Sequence, residues 1–231
     1  MLIGLSGLSH SGKSTVAAML VEEFNFVEIS FADPIKRICR DLFHFTDKQL
    51  WGSSKYRDEP DIRYPQPNGH FLTPRFSLER CGDEFGRTCY SQIWIDQTMA
   101  TVDKLRAPYD FGRATYDPTL GVVMKSLTPA QKPIGGIVIS DIRRINELMA
   151  IERRGGRTLR LKRGMEDPSR WHRFVDALHG IFGTRVREHG SIAEQRQIPD
   201  ARFTSVIDNR EMSLEDLKIE ARLFVEGLRE D

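Results

Sequence analysis

The feature that most constrains this chain is a glycine-rich run close to its amino terminus. Residues 7–14 read GLSHSGKS and match the pattern G-x4-G-K-[ST] at every fixed position. The apolar run Leu2–Ser6 precedes the glycines, and apolar side chains recur at helical spacing from Lys13 to Phe24. A strand, a glycine turn and a helix in this order predict a phosphate-binding loop, because the N–H groups of such a turn can converge on phosphate oxygens.

The fixed positions of this loop each have a chemical reason. Glycine at positions 7 and 12 lets the backbone turn without a Cβ clash, and the start of the following helix adds the positive end of its dipole. We expect Lys13 to place a cation on the β and γ phosphates of ATP, and the hydroxyl of Ser14 to ligate Mg²⁺. His10 is expected to contribute its backbone N–H rather than its imidazole. The predicted ATP-binding residues are Gly7, Ser9, His10, Ser11, Gly12, Lys13, Ser14 and Thr15.

In addition to the Ser14 hydroxyl, an acidic residue is expected near the Mg²⁺, at the end of a neighbouring strand. The apolar residues 134–140 predict such a strand, and Asp141 follows them directly. We assign Asp141 to the water shell of the metal or to orienting the acceptor, and Arg143 to a phosphate. The alternative is that Asp141 is a helix N-cap and that the arginines beside it are solvated.

Strands and helices alternate along the chain, which predicts an α/β fold with a mostly parallel sheet flanked by helices. We interpret residues 1–231 as a single domain of the P-loop NTPase class. Asp33 and Pro34 predict an N-cap and first turn of a helix that ends near Phe43, whereas residues 45–73 predict a mobile loop and residues 106–133 show no clear period. The remaining predictions are strands at 26–31 and 158–161, and helices at 73–85, 93–105, 144–154 and 213–228, the last capped by Ser213 and Asp216.

The charge balance argues against a nucleic-acid-binding protein. Lys and Arg total 34 and Asp and Glu total 33, so the net charge of +1 predicts no stable binding to DNA or RNA. The three cysteines form no C-x-x-C pair, which argues against a disulfide framework or a zinc site. No signal peptide or apolar span is visible, so we expect a cytoplasmic protein without membrane contact, and a homodimer is compatible with the sequence.

Several further segments, taken with the phosphate loop, resemble those of the phage-type deoxynucleoside monophosphate kinases, a group within the P-loop nucleoside monophosphate kinases. The order and approximate spacing of these segments are kept across most of the chain. They are Ser30-Phe31-Ala32-Asp33-Pro34-Ile35-Lys36, Leu78-x3-Gly82-x3-Gly86-Arg87, Ile93-Trp94-Ile95-Asp96, Ser140-Asp141-Ile142-Arg143-x3-Glu147, Val206-Ile207-x-Asn209 and Ser213-Leu214-x-Asp216-Leu217.

This resemblance implies a kinase that transfers the γ-phosphoryl group of ATP, with Mg²⁺, to a deoxynucleoside monophosphate. It implies an acceptor-binding region at about 33–105 and a lid at about 163–200, where arginines would neutralise the transferring group. The lid arginines are Arg163, Arg170, Arg173, Arg185 and Arg187, of which Arg163 and Arg170 are assigned to catalysis with Lys13, Asp141 and Arg143. The acceptor-side candidates are Asp33, Lys36, Arg37, Arg75, Glu79, Arg87 and Arg143, with surface ion pairs as the alternative for each.

Three departures from the family leave the preferred base open. Residues 106–133 are longer than the family usually carries, Glu79 stands where the family often has Gln, and a lid element is stretched into His189-Gly190-Ser191-x2-Glu194. The aromatic residues Phe71, Phe76, Phe85 and Trp94 could stack on a base, although core packing is the commoner role for such a pattern. Other readings are a kinase acting on a modified base in DNA or on another phosphorylated metabolite, and a nucleotide-binding protein without enzymatic activity.

Overall fold

The computed structural model describes residues 1–107, 113–125, 134–163 and 190–230. The chain divides into two compact units, residues 1–28 with 134–231 and residues 29–133, and each is described by itself. The first half of the chain contains β1 (Leu2–Ser6), α1 (Lys13–Phe24), β2 (Phe26–Ile29), α2 (Asp33–Phe43), α3 (Asp47–Trp51), α4 (Ser54–Asp58), β3 (Asp61–Pro65), β4 (Phe71–Leu72), α5 (Pro74–Arg80), a π-helix (Cys81–Arg87) and α6 (Ile93–Arg106). The second half contains β5 (Arg113–Asp117), β6 (Gly121–Lys125), β7 (Gly136–Ile142), α7 (Ile145–Glu152), β8 (Arg157–Lys162), α8 (Gly190–Gln197), a 3₁₀ turn (Asp200–Arg202), β9 (Ser205–Asp208) and α9 (Leu214–Glu230).

The first unit is built on a five-stranded sheet with the order β2-β7-β1-β8-β9. The central strand β1 pairs in parallel with β7 and β8, and β8 pairs in parallel with β9. All five residues of β1 are buried, because the sheet is covered where this strand runs. The prediction of a mostly parallel sheet flanked by helices is therefore confirmed.

The core of this unit joins the sheet to α1 and α9. Val16 and Leu20 of α1 pack with Ile3 and Leu5 of β1, and Leu217 of α9 belongs to the same cluster. The predicted cap of α9 is also confirmed, because Ser213 Oγ accepts from Asp216 N at 3.1 Å and Asp216 Oδ2 accepts from Ser213 N at 3.1 Å. Within the described residues, no helix has the combination of length and apolar character needed to cross a bilayer.

The second unit corrects the prediction for residues 45–73, which are not a mobile loop. They form α3, α4 and the antiparallel pair β3–β4, and a small core holds them together. Phe45, Leu50 and Leu72 are buried there against Cys39 of α2. These elements are two to five residues long, so none shows enough of a periodic pattern to be predicted from the sequence.

Three further predictions about local structure are wrong by a few residues. Ala32 rather than Asp33 is the N-cap of α2. Asp33 is the first helical residue, and Pro34 is the second. The strand that precedes α2 ends at Ile29 rather than at residue 31, because the backbone turns at Ser30, whose N–H donates to Asp33 Oδ2 at 3.0 Å. The helix predicted at 73–85 ends as α5 at Arg80 and continues as the π-helix.

Trp94 packs against Gly82 and Gly86, the two glycines of the π-helix. Its indole is 2% exposed, and Nε1 donates to the Gly82 carbonyl at 2.8 Å. A Cβ added at Gly86 would overlap the indole ring, so only glycine fits at that position. Trp94 is therefore part of the core, whereas Phe71, Phe76 and Phe85 are exposed.

The described part of residues 106–133 is also ordered, although the sequence there shows no period. Residues 113–125 form the hairpin β5–β6, in which Tyr116 pairs with Val122 and Asp117 with Gly121. Both strands contact α6, and Ala114 is buried.

Candidate functional site

The phosphate loop follows the central strand of the sheet and leads directly into α1. Its backbone takes positive φ values of 148° at Gly7, 63° at His10 and 93° at Gly12. A Cβ at Gly7 would collide with the Leu161 carbonyl and with Ser11, and one at Gly12 would collide with Leu217. Both fixed glycines are thus required by backbone conformation and by close packing.

Lys13 lies over the same loop. Its ammonium donates to the carbonyls of Gly7 at 2.6 Å and Leu8 at 2.7 Å. The pKa of Lys13 is lowered from 10.5 to about 8, first by burial and then by the nearby positive charge of Arg143, while Asp141 acts in the opposite direction. Asp141 and Arg143 therefore both lie close enough to act electrostatically on Lys13, and these three are among the five predicted catalytic residues.

Asp141 lies inside β7, which runs on to Ile142, and not beyond the end of the strand. The register between β1 and β7 shifts here, from Gly4 opposite Ile139 to Ser6 opposite Ile142, so one extra residue is accommodated in β7. Such bulges re-aim side chains and are common beside active sites. The alternative of a helix N-cap at Asp141 is wrong, because the N-cap of α7 is Arg144.

Glu147 of α7 holds the backbone that follows this bulge. Its Oε2 accepts from Arg143 N at 2.8 Å and from Arg144 N at 3.1 Å, and Glu147 is 2% exposed. The side chain of Arg143 itself is exposed. This carboxylate thus fixes the main chain at Arg143 and leaves the guanidinium at the surface of the unit.

Two buried amides support the loop from behind. Gln195 of α8 brings its Nε2 within 3.1 Å of Ser6 Oγ, 3.1 Å of the Gly7 carbonyl and 2.8 Å of the Ile142 carbonyl. Asn209, which belongs to the resemblance, donates from Nδ2 to the Ser11 carbonyl at 3.0 Å. Sequence reasoning missed Gln195, because a single glutamine on a short helix carries no motif.

The predicted lid is only partly within the described residues. Arg163 is exposed at the end of β8, whereas Arg170, Arg173, Arg185, Arg187 and His189 lie outside them. The carboxyl-terminal part of the predicted lid contains α8, where Glu194 pairs with Arg144 at 3.0 Å and Gln195 contacts the ends of β1 and β7. This helix therefore belongs to the support of the phosphate loop.

The acceptor-side candidates of the second unit centre on Asp33. Its side chain is buried, and its two oxygens accept four hydrogen bonds. The donors are Ser30 N at 3.0 Å, Lys36 Nζ at 3.2 Å, Trp51 Nε1 at 3.1 Å and the Tyr116 hydroxyl at 3.1 Å. A carboxylate has about four such positions, so Asp33 is saturated by the protein itself. The contact of Asp33 with a sugar hydroxyl stays a prediction, and it would require one of these four donors to be shared or displaced.

The other acceptor-side candidates differ in how they are held. Arg37 donates from Nη1 to the Tyr116 hydroxyl and to the Pro118 carbonyl, both at 3.0 Å. Arg75 pairs with Asp58 and bonds Ser54, and Arg87 pairs with Asp83 at 3.2 Å. The hydrogen bond to Asp58 raises the pKa of Arg75, and the charge of half-buried Glu79 adds a smaller effect in the same direction. The roles of all these residues toward an acceptor remain predictions.

Comparison with known proteins identifies one relative by sequence. A protein of Acanthamoeba polyphaga mimivirus named "Putative deoxynucleotide monophosphate kinase" is 33% identical over 163 residues, which cover 71% of this chain and 74% of the viral protein. No family model matches the sequence.

Among solved structures, the shikimate kinase of Aquifex aeolicus aligns over 99% of this chain and 98% of its own, with 14% identity and a TM-score of 0.41. The dephospho-CoA kinase of Campylobacter jejuni aligns over 98% and 96%, with 12% identity and a TM-score of 0.43. The fold is established by the chain's own strand order and phosphate loop.

Proposed function

The chain belongs to the family of deoxynucleotide monophosphate kinases, and from this premise we propose that it transfers the γ-phosphoryl group of ATP to a deoxynucleoside monophosphate, giving the diphosphate and ADP. The observation that carries the proposal is the complete G-x4-G-K-S loop at the carboxyl end of the central strand, in a chain that is 33% identical over 163 residues to the viral protein so named. A phosphoryl-transfer enzyme works mainly by positioning and by neutralising charge, and this loop is suited to both tasks.

On the donor side, the loop supplies converging N–H groups and the ammonium of Lys13. The carbonyls of Gly7 and Leu8 hold the ammonium at the loop, within reach of phosphates bound there. In the proposed mechanism Lys13 exchanges these carbonyls for phosphate oxygens, and the backbone of residues 7–15 binds the remaining oxygens. Arg143, which is exposed and acts electrostatically on Lys13, is proposed to stabilise the charge of the transferring group.

The residues near the loop also suit Mg²⁺. Ser14 offers an exposed hydroxyl on the first turn of α1, and Asp141 offers a carboxylate at the bulge of β7. Hydroxyl and carboxylate oxygens, completed by water, are the donor set that this hard cation prefers. When bound, Mg²⁺ would neutralise part of the phosphate charge, and Ser14 and Asp141 would hold it.

On the acceptor side, Lys36 and Arg37 are the proposed ligands of the monophosphate. Both are half-buried on the first turns of α2, and the shared network around Asp33 restrains them. Two restrained cations suit the two negative charges of a phosphomonoester. Arg75 and Arg87 are further candidates, although their carboxylate partners Asp58 and Asp83 would have to be released or shared.

The proposal is tested by following ³²P from [γ-³²P]ATP into products. Each of the four common dNMPs is offered in a separate reaction, and a DNA duplex is offered in another. Every reaction is run with and without Mg²⁺. We expect label in one or more deoxynucleoside diphosphates, only with Mg²⁺, and none in the duplex. Label in the duplex alone would overturn the acceptor class, and the absence of label from every acceptor would overturn the kinase proposal.

A further inference from the structure

The hairpin β5–β6 reaches α2 through its tip. Asp117 Oδ1 accepts from Thr119 N at 2.8 Å and from Leu120 N at 3.0 Å, which fixes the conformation of the turn. Gly121, with φ of 89°, ends the turn in the left-handed region. Tyr116 and Pro118 stand at this fixed tip, and both contact Arg37.

These two contacts occupy both hydrogens of one guanidinium nitrogen, Nη1. Arg37 Nη1 has two hydrogens, and the Tyr116 hydroxyl and the Pro118 carbonyl accept one each. No protein partner is found for Nε or Nη2 of Arg37 among the residues that the structure describes. Nε and Nη2 together form the edge with which arginine makes paired hydrogen bonds to phosphate or carboxylate.

Tyr116 also connects this guanidinium to Asp33. Its hydroxyl donates to Asp33 Oδ2 at 3.1 Å while it accepts from Arg37. Burial, and then the charge of Asp33, raise the pKa of Tyr116, so the hydroxyl keeps the proton that it needs for donation. The two consecutive hydrogen bonds, Tyr116 to Asp33 and Arg37 to Tyr116, therefore fix the guanidinium relative to the buried carboxylate.

We propose that Tyr116 is a positioning residue for the acceptor, because its hydroxyl, together with the Pro118 carbonyl, holds Arg37 so that its Nε–Nη2 edge can bind the phosphate dianion of the acceptor. This inference rests on the proposed function for the identity of the acceptor, but not for the geometry of the clamp. It assigns a role to the hairpin, whose sequence shows no motif.

The kinetic test compares Tyr116→Phe with Tyr64→Phe. Tyr64 is a matched control because it is half-buried in the same unit and its hydroxyl donates to the Phe43 carbonyl at 2.6 Å, away from Arg37. For Tyr116→Phe we expect the KM for the dNMP to rise by about three- to tenfold, while kcat and the KM for ATP stay within about twofold. Tyr64→Phe should leave all three constants unchanged. Equal effects of the two variants, or no change of the KM in Tyr116→Phe, would contradict the inference.

A second measurement does not depend on catalysis. The ¹H–¹⁵N signal of Arg37 Nε, assigned with Arg37→Lys, is followed during titration with dAMP and with inorganic phosphate. We expect a saturable shift in the wild-type protein, with the midpoint moved to about three- to tenfold higher ligand in Tyr116→Phe. If this shift occurs but no dNMP is phosphorylated, the proposed function fails and the inference stands. If dNMPs are phosphorylated but Arg37 does not respond, the inference fails and the function stands.

Discussion

Lys13 and Arg37 are both cations held by oxygen atoms, but the oxygens come from very different distances along the chain. Lys13 is held by carbonyls five and six residues away, within a single motif. Arg37 is held by Tyr116 and Pro118, 79 and 81 residues away. The lysine at the first site is held by the backbone of its own motif, whereas the arginine at the second depends on groups that a distant hairpin brings to α2.

This difference predicts opposite responses to substitution. Changing a side chain in the phosphate loop should remove chemistry and leave stability nearly intact. Changing the centre of the acceptor-side network should reduce stability as well as acceptor binding. Measuring activity and stability on the same variants distinguishes the two responses.

Lys13→Ala should lower kcat/KM by about 10²- to 10³-fold or more, because a single charge-stabilising contact contributes about 3–4 kcal/mol to such a transition state. The matched control is Lys218→Ala, which removes an ammonium paired with Glu215 on α9 of the same unit. Steady-state kinetics and urea unfolding are measured for both variants. Near wild-type turnover in Lys13→Ala would show that the loop is not the donor site.

Asp33→Asn should lower the free energy of unfolding by about 2–3 kcal/mol. The substitution replaces one accepting oxygen with an NH₂ group, which then faces two buried donors and can accept from neither. Both ends of the carboxylate are occupied, so neither orientation of the amide avoids this conflict. Asp47→Asn is the control, since Asp47 is exposed and lies 4.0 Å from Arg40. Urea unfolding followed by fluorescence measures the effect, and equal stability of the two variants would refute the described network.

Gln195→Leu should cost about 1–2 kcal/mol of stability, because the carbonyls of Gly7 and Ile142 each lose one donor and keep those from Lys13 and Ser6, respectively. We also expect weaker ATP binding, since the loop loses its support at Gly7. Gln197→Leu, at the exposed end of the same helix, provides the comparison. Unfolding curves and ATP titrations decide the outcome, and unchanged values for both quantities in Gln195→Leu would remove α8 from the support of the loop.

The smallest predicted effect is a proton taken up on nucleotide binding. With a pKa of about 8, Lys13 is partly neutral above that pH, and phosphate beside it should raise the pKa toward its ordinary value of 10.5. ATP binding at pH 8 should therefore take up about half a proton, and ATP affinity should fall as the pH rises from 7 to 9.5. Calorimetry in buffers of different ionisation enthalpy measures the uptake. Lys13→Arg should show none, because the guanidinium does not titrate, and equal uptake by both proteins would exclude Lys13 as the source.

The sequence by itself determined the elements whose pattern is local. The phosphate loop, β1 and α1 are confirmed, and the Ser213–Asp216 cap of α9 is confirmed as predicted. In each case the residues that specify the structure lie within a stretch of at most 12 residues, so the pattern is complete in a short window. The parallel sheet also followed, because alternation of strands and helices restricts the topology to a few arrangements.

Tertiary structure alone decided the features that join distant segments. The hairpin β5–β6, the short elements at 45–73 and the burial of Trp94 against Gly82 and Gly86 depend on partners that no short window contains. Asp33 is the clearest case, since the sequence pointed only to a substrate contact, and the folded chain shows Trp51 and Tyr116 donating to its oxygens. A lone carboxylate has the same pattern whether its partner is a substrate or the protein, and only the folded chain determines which donors reach it.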